Sequence, residues 1–273
     1  MYDIKEIDEI KIYVANGEYL TSKERGKRCD SCVEGKSTRR SFIPCKRESY
    51  EIGDLLHSDL CGPIHPTSMN GDCYFQVLID DYSHFVVIYL LKNKNEAENN
   101  ILKHIQLIKT QFGLKTKRIR LDNGGEFTSR KFKETCQQKG IVLQYTTPYT
   151  PQQNGTSERM NRTILDKVRV KFAETKLPKK LWNEAICASA YELNRSPTKA
   201  LYGKTPASIW YGYSDLSKLR VFGSKAWVVT IPKPSKLEAR AKPMIMVGYT
   251  SSGYRLWDPE NDKIVNSTDV IFD

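Results

Sequence analysis

Three carboxylates stand where a chain would expose them. Asp59 closes the apolar run LLHSD, Asp122 closes RIRLD, and Glu158 opens a helical stretch after the turn PQQNG. Taken singly, an Asp after a strand is a turn residue accepting backbone N–H bonds. A Glu in a first helical turn serves as a cap or as a partner of the helix dipole. Order and context favour a different reading. A strand, a hairpin, a helix, a strand, then a proline-broken loop and a helix bring all three to one end of a sheet. Convergent carboxylates repel unless cations neutralise them, and hard oxygen ligands suit Mg2+ or Mn2+. Two such ions, roughly 3.5–4 Å apart, form the clamp used in phosphodiester displacement. Asp80 and Asp81 are adjacent as well, but their place in a hairpin gives them a turn role.

The elements that would position these groups are legible. Leu55–Leu60 is a short strand, and Tyr74–Asp80 and Phe85–Leu91 form a hairpin through Asp81-Tyr82-Ser83-His84. Ala97, Ile101, Ile105, Ile108 and Phe112 recur every three or four residues, which predicts an amphipathic helix ended near Gly113. Arg118–Leu121 is a buried strand before the turn Asp122-Asn123-Gly124-Gly125. Ser129–Lys139 is a helix stopped by Gly140, and Ile141–Tyr145 is a strand. After Pro148 and Pro151, Thr156 caps a helix whose apolar face is Met160, Ile164, Val168 and Phe172. Residues 176–213 read as helical, with breaks at Pro197 and Pro206. Ala226–Ile231, Met244–Tyr249, Tyr254–Trp257 and Lys263–Val265 return to short strands, a small β-barrel or sheet. The fold class is therefore α/β: a five-stranded mixed sheet with helices on both faces, a helical extension, and a β-rich C-terminal module.

Composition narrows the partner. The 273 residues hold 43 Lys and Arg against 32 Asp and Glu, a net charge of +11, which points to a polyanion with nucleic acid first. A basic protein around an acidic metal site suits an enzyme that cuts or joins DNA. No run of about 18 apolar residues exists, so no spanning helix is expected. The acidic start MYDIKEIDEI has no apolar h-region and is no secretory signal. The basic residues form no amphipathic helix with a large apolar face, so a membrane-surface role is the least expected reading.

The words HSDLCGPI, FQVLIDDYSHFVVIYLL, IRLDNGGEF and TPYTPQQNGTSERMNRTI resemble the catalytic core of a retroviral-type integrase, in particular that of copia-type retrotransposons. The resemblance continues through LWNEAICASAYELNRSP, KTPASIWYG, LRVFGSKAWV, MVGYTSSGYRLWDP and DVIFD, so it covers roughly residues 29–273. It implies a ribonuclease-H-like core within a Pol polyprotein, with two Mg2+ or Mn2+ ions held by Asp59, Asp122 and Glu158. The 35 residues between Asp122 and Glu158 match the family interval. Asp59 would contact both ions, and Asp122 and Glu158 would complete one site each. The implied activity is 3′-end processing followed by DNA strand transfer, in the nucleus or the cytoplasm, by a homo-multimer acting on element ends and target DNA.

In related integrases the loop before the last carboxylate closes over the DNA end, which makes Gln153 and Asn154 DNA-contact candidates together with Gln152 and Gly155. Arg159 and Arg162 follow Glu158, and Arg162 shares its helical face, so both are phosphate-contact candidates or a solvated helix face. The basic set Lys36–Arg47 and Lys233, Lys236 and Lys242 would track phosphates nonspecifically, or serve only as solvated charge.

Cys29 and Cys32 have zinc-knuckle spacing but supply two of four ligands. The family completes the site with two upstream histidines, whereas His57, His65, His84 and His104 all follow the pair. Zinc is therefore not expected in the family's manner. The piece IKIYVANGEYLTSKERGK faintly resembles the protease segment of copia polyproteins without its catalytic word, which suggests a protease remnant joined to an integrase core. The expected division is 1–28 remnant, 29–50 Cys-pair and basic linker, 51–175 catalytic core, 176–217 helical extension and 218–273 C-terminal module. Two rival readings are a catalytically silent DNA-binding remnant and a nuclease acting on RNA–DNA hybrids. The Asp122–Glu158 interval and the Asn-Gly loop argue against the latter.

Overall fold

The computed structural model describes residues 12–13, 19–20, 49–122, 124–146, 155–229 and 235–272. The chain divides into two compact units, Met1–Pro44 and Cys45–Asp273. In the first, the described residues are two short antiparallel strands, β1 (Ile12–Tyr13) and β2 (Tyr19–Leu20), with Ile12 opposite Leu20.

The second unit opens with β3 (Leu55–Cys61), β4 (Tyr74–Asp80) and β5 (Val86–Leu91), an antiparallel meander. Helix α1 (Ala97–Phe112) crosses back to β6 (Arg118–Leu121), which pairs parallel with β3. Helix α2 (Arg130–Gln138) then leads to β7 (Val142–Tyr145), parallel to β6. The strand order is β5-β4-β3-β6-β7, the mixed sheet expected. Side chains of a strand alternate between its faces, and here both faces are buried. Phe75, Val77 and Ile79 of β4 pack with Ile164 and Val168, while Leu78 packs with Ile101, Ile105, Ile108, Phe132 and Cys136. Double coverage is why β4 reads as a continuous apolar run. Within that run Gln76 is fully buried and donates to Ser58 Oγ (3.0 Å) and to the Ala97 carbonyl (3.2 Å).

The helices end as their sequences dictate. Gly113 adopts φ +68°, and its N–H bonds the Lys109 carbonyl, closing α1 in the left-handed region that glycine tolerates. Ser129 Oγ accepts the Phe132 N–H and caps α2. Helix α3 runs Gly155–Thr175, so Thr156 lies inside its first turn and is not its cap. Helix α4 spans Trp182–Arg195. The short α5 (Pro206–Tyr211) begins at Pro206, which therefore starts a helix and does not break one.

The C-terminal sheet is β8 (Lys225–Val229), β9 (Ala241–Tyr249), β10 (Tyr254–Asp258), β11 (Lys263–Ser267) and β12 (Val270–Phe272), antiparallel in the order β11-β10-β9-β8-β12. Strand β12 is absent from the sequence reading, and β9 starts three residues earlier than expected. Ala226, Val228, Met244, Met246 and Leu256 fill the core of this sheet. Its other side lies on α4, where Val247 and Trp257 meet Trp182, Ala185 and Ile186. Arg255 reaches across to Glu184 of α4 with two bonds, Nε to Oε2 at 2.6 Å and Nη2 to Oε1 at 2.7 Å.

Candidate active site

The carboxylates are set by strand direction. β3 and β6 run parallel, so Asp59 near the end of one and Asp122 just past the other meet at a common sheet edge. Asp59 follows His57 and precedes Cys61 on the face toward α3. Its Oδ1 accepts the Leu60 N–H at 2.9 Å, and its Oδ2 accepts Asn161 Nδ2 of α3 at 2.9 Å. Burial pushes the Asp59 carboxyl up to about 7, with the negative charges of Asp122 and Glu158 adding to the rise and the two hydrogen bonds opposing it. Asp122 also lies above the ordinary carboxylate range. Burial is the main cause, Glu126 adds to it, and the Gly124 N–H and the ammonium of Lys94 oppose it. The turn that follows is anchored by Tyr145 of β7, whose hydroxyl donates to the Phe127 carbonyl at 2.7 Å.

Glu158 is exposed in the first turn of α3 and contributes to the field at Asp59. The structure thus brings Asp59, Asp122 and Glu158 into electrostatic contact. Among the described residues, no three His, Cys, Asp or Glu side chains are drawn together tightly enough to hold an ion. The donor set nonetheless fits a hard divalent cation. It offers carboxylate oxygens in a half-buried setting that costs them their charge, and beside them the Asn161 Oδ1 is buried without a partner.

Arg159 and Arg162 are exposed on α3 directly beyond Glu158, and the Arg159 guanidinium folds back toward Gly155. Gln153 and Asn154, the Cys29–Cys32 pair, Asn123, Lys233 and the basic set 36–47 lie outside the described residues. Lys236 is exposed. Lys242 pairs with Asp258 (3.0 Å) and Glu260 (2.8 Å), so its charge is countered within its own module. Asp80 and Asp81 serve the turn at the opposite end of β4. Asp80 accepts the Gly53 N–H and both the N–H and the hydroxyl of Ser83. Asp81 pairs with His57 Nε2 at 2.8 Å and with the Ser49 hydroxyl. Burial would raise its carboxyl, but those bonds outweigh it and hold it at about 2.

Sequence reasoning missed two residues at this edge. Asn161 is three positions after Glu158, hence on its helical face, and that spacing was a readable signal. Lys94 was not findable, because only the return of β5 to the same edge puts it near Asp122.

Residues 50–151 match the integrase core domain, and residues 224–273 match the retroviral polymerase SH3-like domain. The chain thus carries an integrase core domain followed by a retroviral SH3-like domain. Asp59 and Asp122 fall inside the core match, and Glu158 falls beyond its end. A Retrovirus-related Pol polyprotein from transposon TNT 1-94 of Nicotiana tabacum is 43% identical over 251 residues, covering 90% of this chain and 19% of that protein. The Transposon Ty1-LR3 Gag-Pol polyprotein of Saccharomyces cerevisiae is 31% identical over 253 residues, covering 89% of this chain and 14% of that protein. The chain thus spans a fifth or less of the length of these relatives. A chain of the simian T-cell lymphotropic virus intasome solved with PP2A regulatory subunit B56 gamma shares the fold, with a TM-score of 0.52 at 18% identity over 87% of this chain and 84% of that one. The integrase core family uses a divalent metal. No helix among the described residues is long and apolar enough to cross a membrane.

Proposed function

We propose that this chain trims DNA ends and joins them to target DNA, with Asp59, Asp122 and Glu158 holding two Mg2+ or Mn2+ ions. The carrying observation is the single edge where Asp59, under the field of Asp122 and Glu158, is pushed up to about 7. A site that penalises its own charge is one that a cation relieves. When bound, the ions supply charge neutralisation and activation of the attacking oxygen.

The chain's own part is positioning. Asn161 fixes the Asp59 carboxylate, and the exposed Arg159 and Arg162 hold backbone phosphates beside it, with Gln153 and Asn154 as further DNA contacts. In the first step a water oxygen bonds to phosphorus while the P–O3′ bond breaks, freeing a 3′-hydroxyl and a short 5′-phosphorylated fragment. In the second, that hydroxyl bonds to a target phosphorus as the target's own P–O3′ bond breaks, one phosphodiester exchanged for another. Neither step needs a protein nucleophile.

The partners follow from this reading: element ends, target DNA and further copies of the chain, acting in the nucleus. The division into a protease-like stretch, a Cys-pair linker, a catalytic core over 51–175, a helical extension and a C-terminal module over 218–273 belongs to the same proposal. The Cys29–Cys32 pair supplies two of the four ligands that a structural zinc site takes.

The test is strand transfer by the purified chain on oligonucleotide ends of the parent element, with Mg2+ or Mn2+ and a Glu158→Gln control. Joined products lost in the control are expected. DNA binding without products in the unaltered chain would replace this reading with that of a silent DNA-binding protein.

A further inference from the structure

The sheet edge has two sides, and Arg159 and Arg162 serve only the side of α3. On the side of α1, Tyr74 starts β4 and Lys94 follows the end of β5, at the end of the sheet that carries Asp59 and Asp122. The Lys94 ammonium lies 5.7 Å from the centroid of the Tyr74 ring. The two residues before it are held, because Glu96 Oε1 accepts the N–H of Lys92 at 3.1 Å and of Asn93 at 2.8 Å. The ring is fixed as well. It lies against Gly62, where a Cβ would stand 2.6 Å from a ring carbon and where φ is +137°, so only glycine permits this contact. Gly62 is the residue after Cys61, so the ring flanks the strand that carries Asp59. Lys94 is exposed, Tyr74 is half-buried, and Lys94 lies within electrostatic reach of Asp122.

We infer that Lys94 and Tyr74 form a nucleotide subsite on the α1 side of the carboxylate edge, the ammonium taking a backbone phosphate and the ring stacking the adjoining base. The inference rests on the proposed action on DNA. An exposed cation over a ring is weakly held, so it exchanges readily for a phosphate, and that exchange uncovers the ring face for a base. DNA entering the edge would then be held from both faces of the sheet while its reacting phosphate meets the carboxylates.

The experiment compares the full chain with its Lys94→Ala, Lys94→Arg, Tyr74→Leu and Tyr74→Phe variants. The probe is a duplex oligonucleotide of arbitrary sequence carrying 2-aminopurine near one frayed end, titrated over a range of salt. Lys94→Ala is expected to weaken binding about tenfold at ~0.1 M salt and to lower the log–log salt slope by about one, as for one lost phosphate contact. Lys94→Arg keeps the slope. Tyr74→Leu abolishes the quenching of 2-aminopurine, and Tyr74→Phe retains it. In the joining assay Lys94→Ala raises KM with kcat unchanged.

Wild-type affinity and slope in Lys94→Ala, or unchanged quenching in Tyr74→Leu, would overturn the subsite. So would equal losses in the Ala and Arg variants accompanied by a lowered melting temperature, which would mark a structural role. If the unaltered chain joins no DNA yet binds it with this Lys94-dependent slope, the enzymatic reading fails and the subsite stands. If it joins DNA while Lys94→Ala binds normally, the subsite alone fails.

Discussion

Asp59 is stabilised by losing its charge. Its folded carboxyl titrates near 7 against an ordinary 3.8, so the folded state binds the proton more tightly than the unfolded state. The metal-free chain therefore loses stability as pH rises from about 4 to about 7, by at most roughly 4 kcal/mol. Asp59→Asn removes that penalty. At pH 8 it should raise the melting temperature by about 5 °C and abolish the added stability from Mg2+, as read by thermal unfolding with and without chelator. His104 works in the opposite direction. Burial beside Tyr89 and Trp210 lowers its imidazole to about 4, so the fold keeps it neutral. Stability falls as pH drops from 6.5 toward 4, by about 3 kcal/mol, and His104→Phe should flatten that acid limb in denaturant titrations at stepped pH. Asn161→Ala frees the Asp59 carboxylate. Half-saturation by Mg2+, followed by isothermal titration, should shift roughly 10–100-fold, as when a group that orients a metal ligand is removed. An unchanged value would reduce Asn161 to packing.

At the scale of elements, α4 decides how the C-terminal sheet is held. Glu184 is nearly buried, with 4% of its side chain exposed, whereas Arg255 keeps 30%. The two deletions are therefore unequal. Arg255→Ala strands a buried carboxylate and should cost about 3–5 kcal/mol. Glu184→Ala leaves a guanidinium that still reaches water and should cost less. Chemical denaturation of both variants decides the order, and the reverse order would contradict this account of the contact. The elements themselves divide by how local their cause is. α1 was legible because Ala97, Ile101, Ile105 and Ile108 repeat on one face and Gly113 ends it in the left-handed region. β12 was not, because Val270–Phe272 is three residues long and becomes a strand only by pairing with Trp227 and its neighbours. Pro206 looked like a break because proline ends a helix from within yet opens one at its first position.

For the whole molecule, charge governs association. A chain with a net charge of +11 should bind DNA with an affinity falling steeply and linearly in log–log salt. Binding of duplex DNA measured across a salt series checks this, and a flat response would contradict a phosphate-tracking surface.

The sequence by itself determined the strand and helix periods, the positive charge, and the carboxylates with their interval, because each depends on residue type and spacing along the chain. The tertiary structure alone decided that Asn161 grips Asp59, that Lys94 stands by Asp122 and Tyr74, that Lys242 pairs with Asp258 and Glu260, and that Glu184 meets Arg255. These pairs join residues far apart in the chain, and a side chain's partner is set by which strands share an edge and which helix covers them.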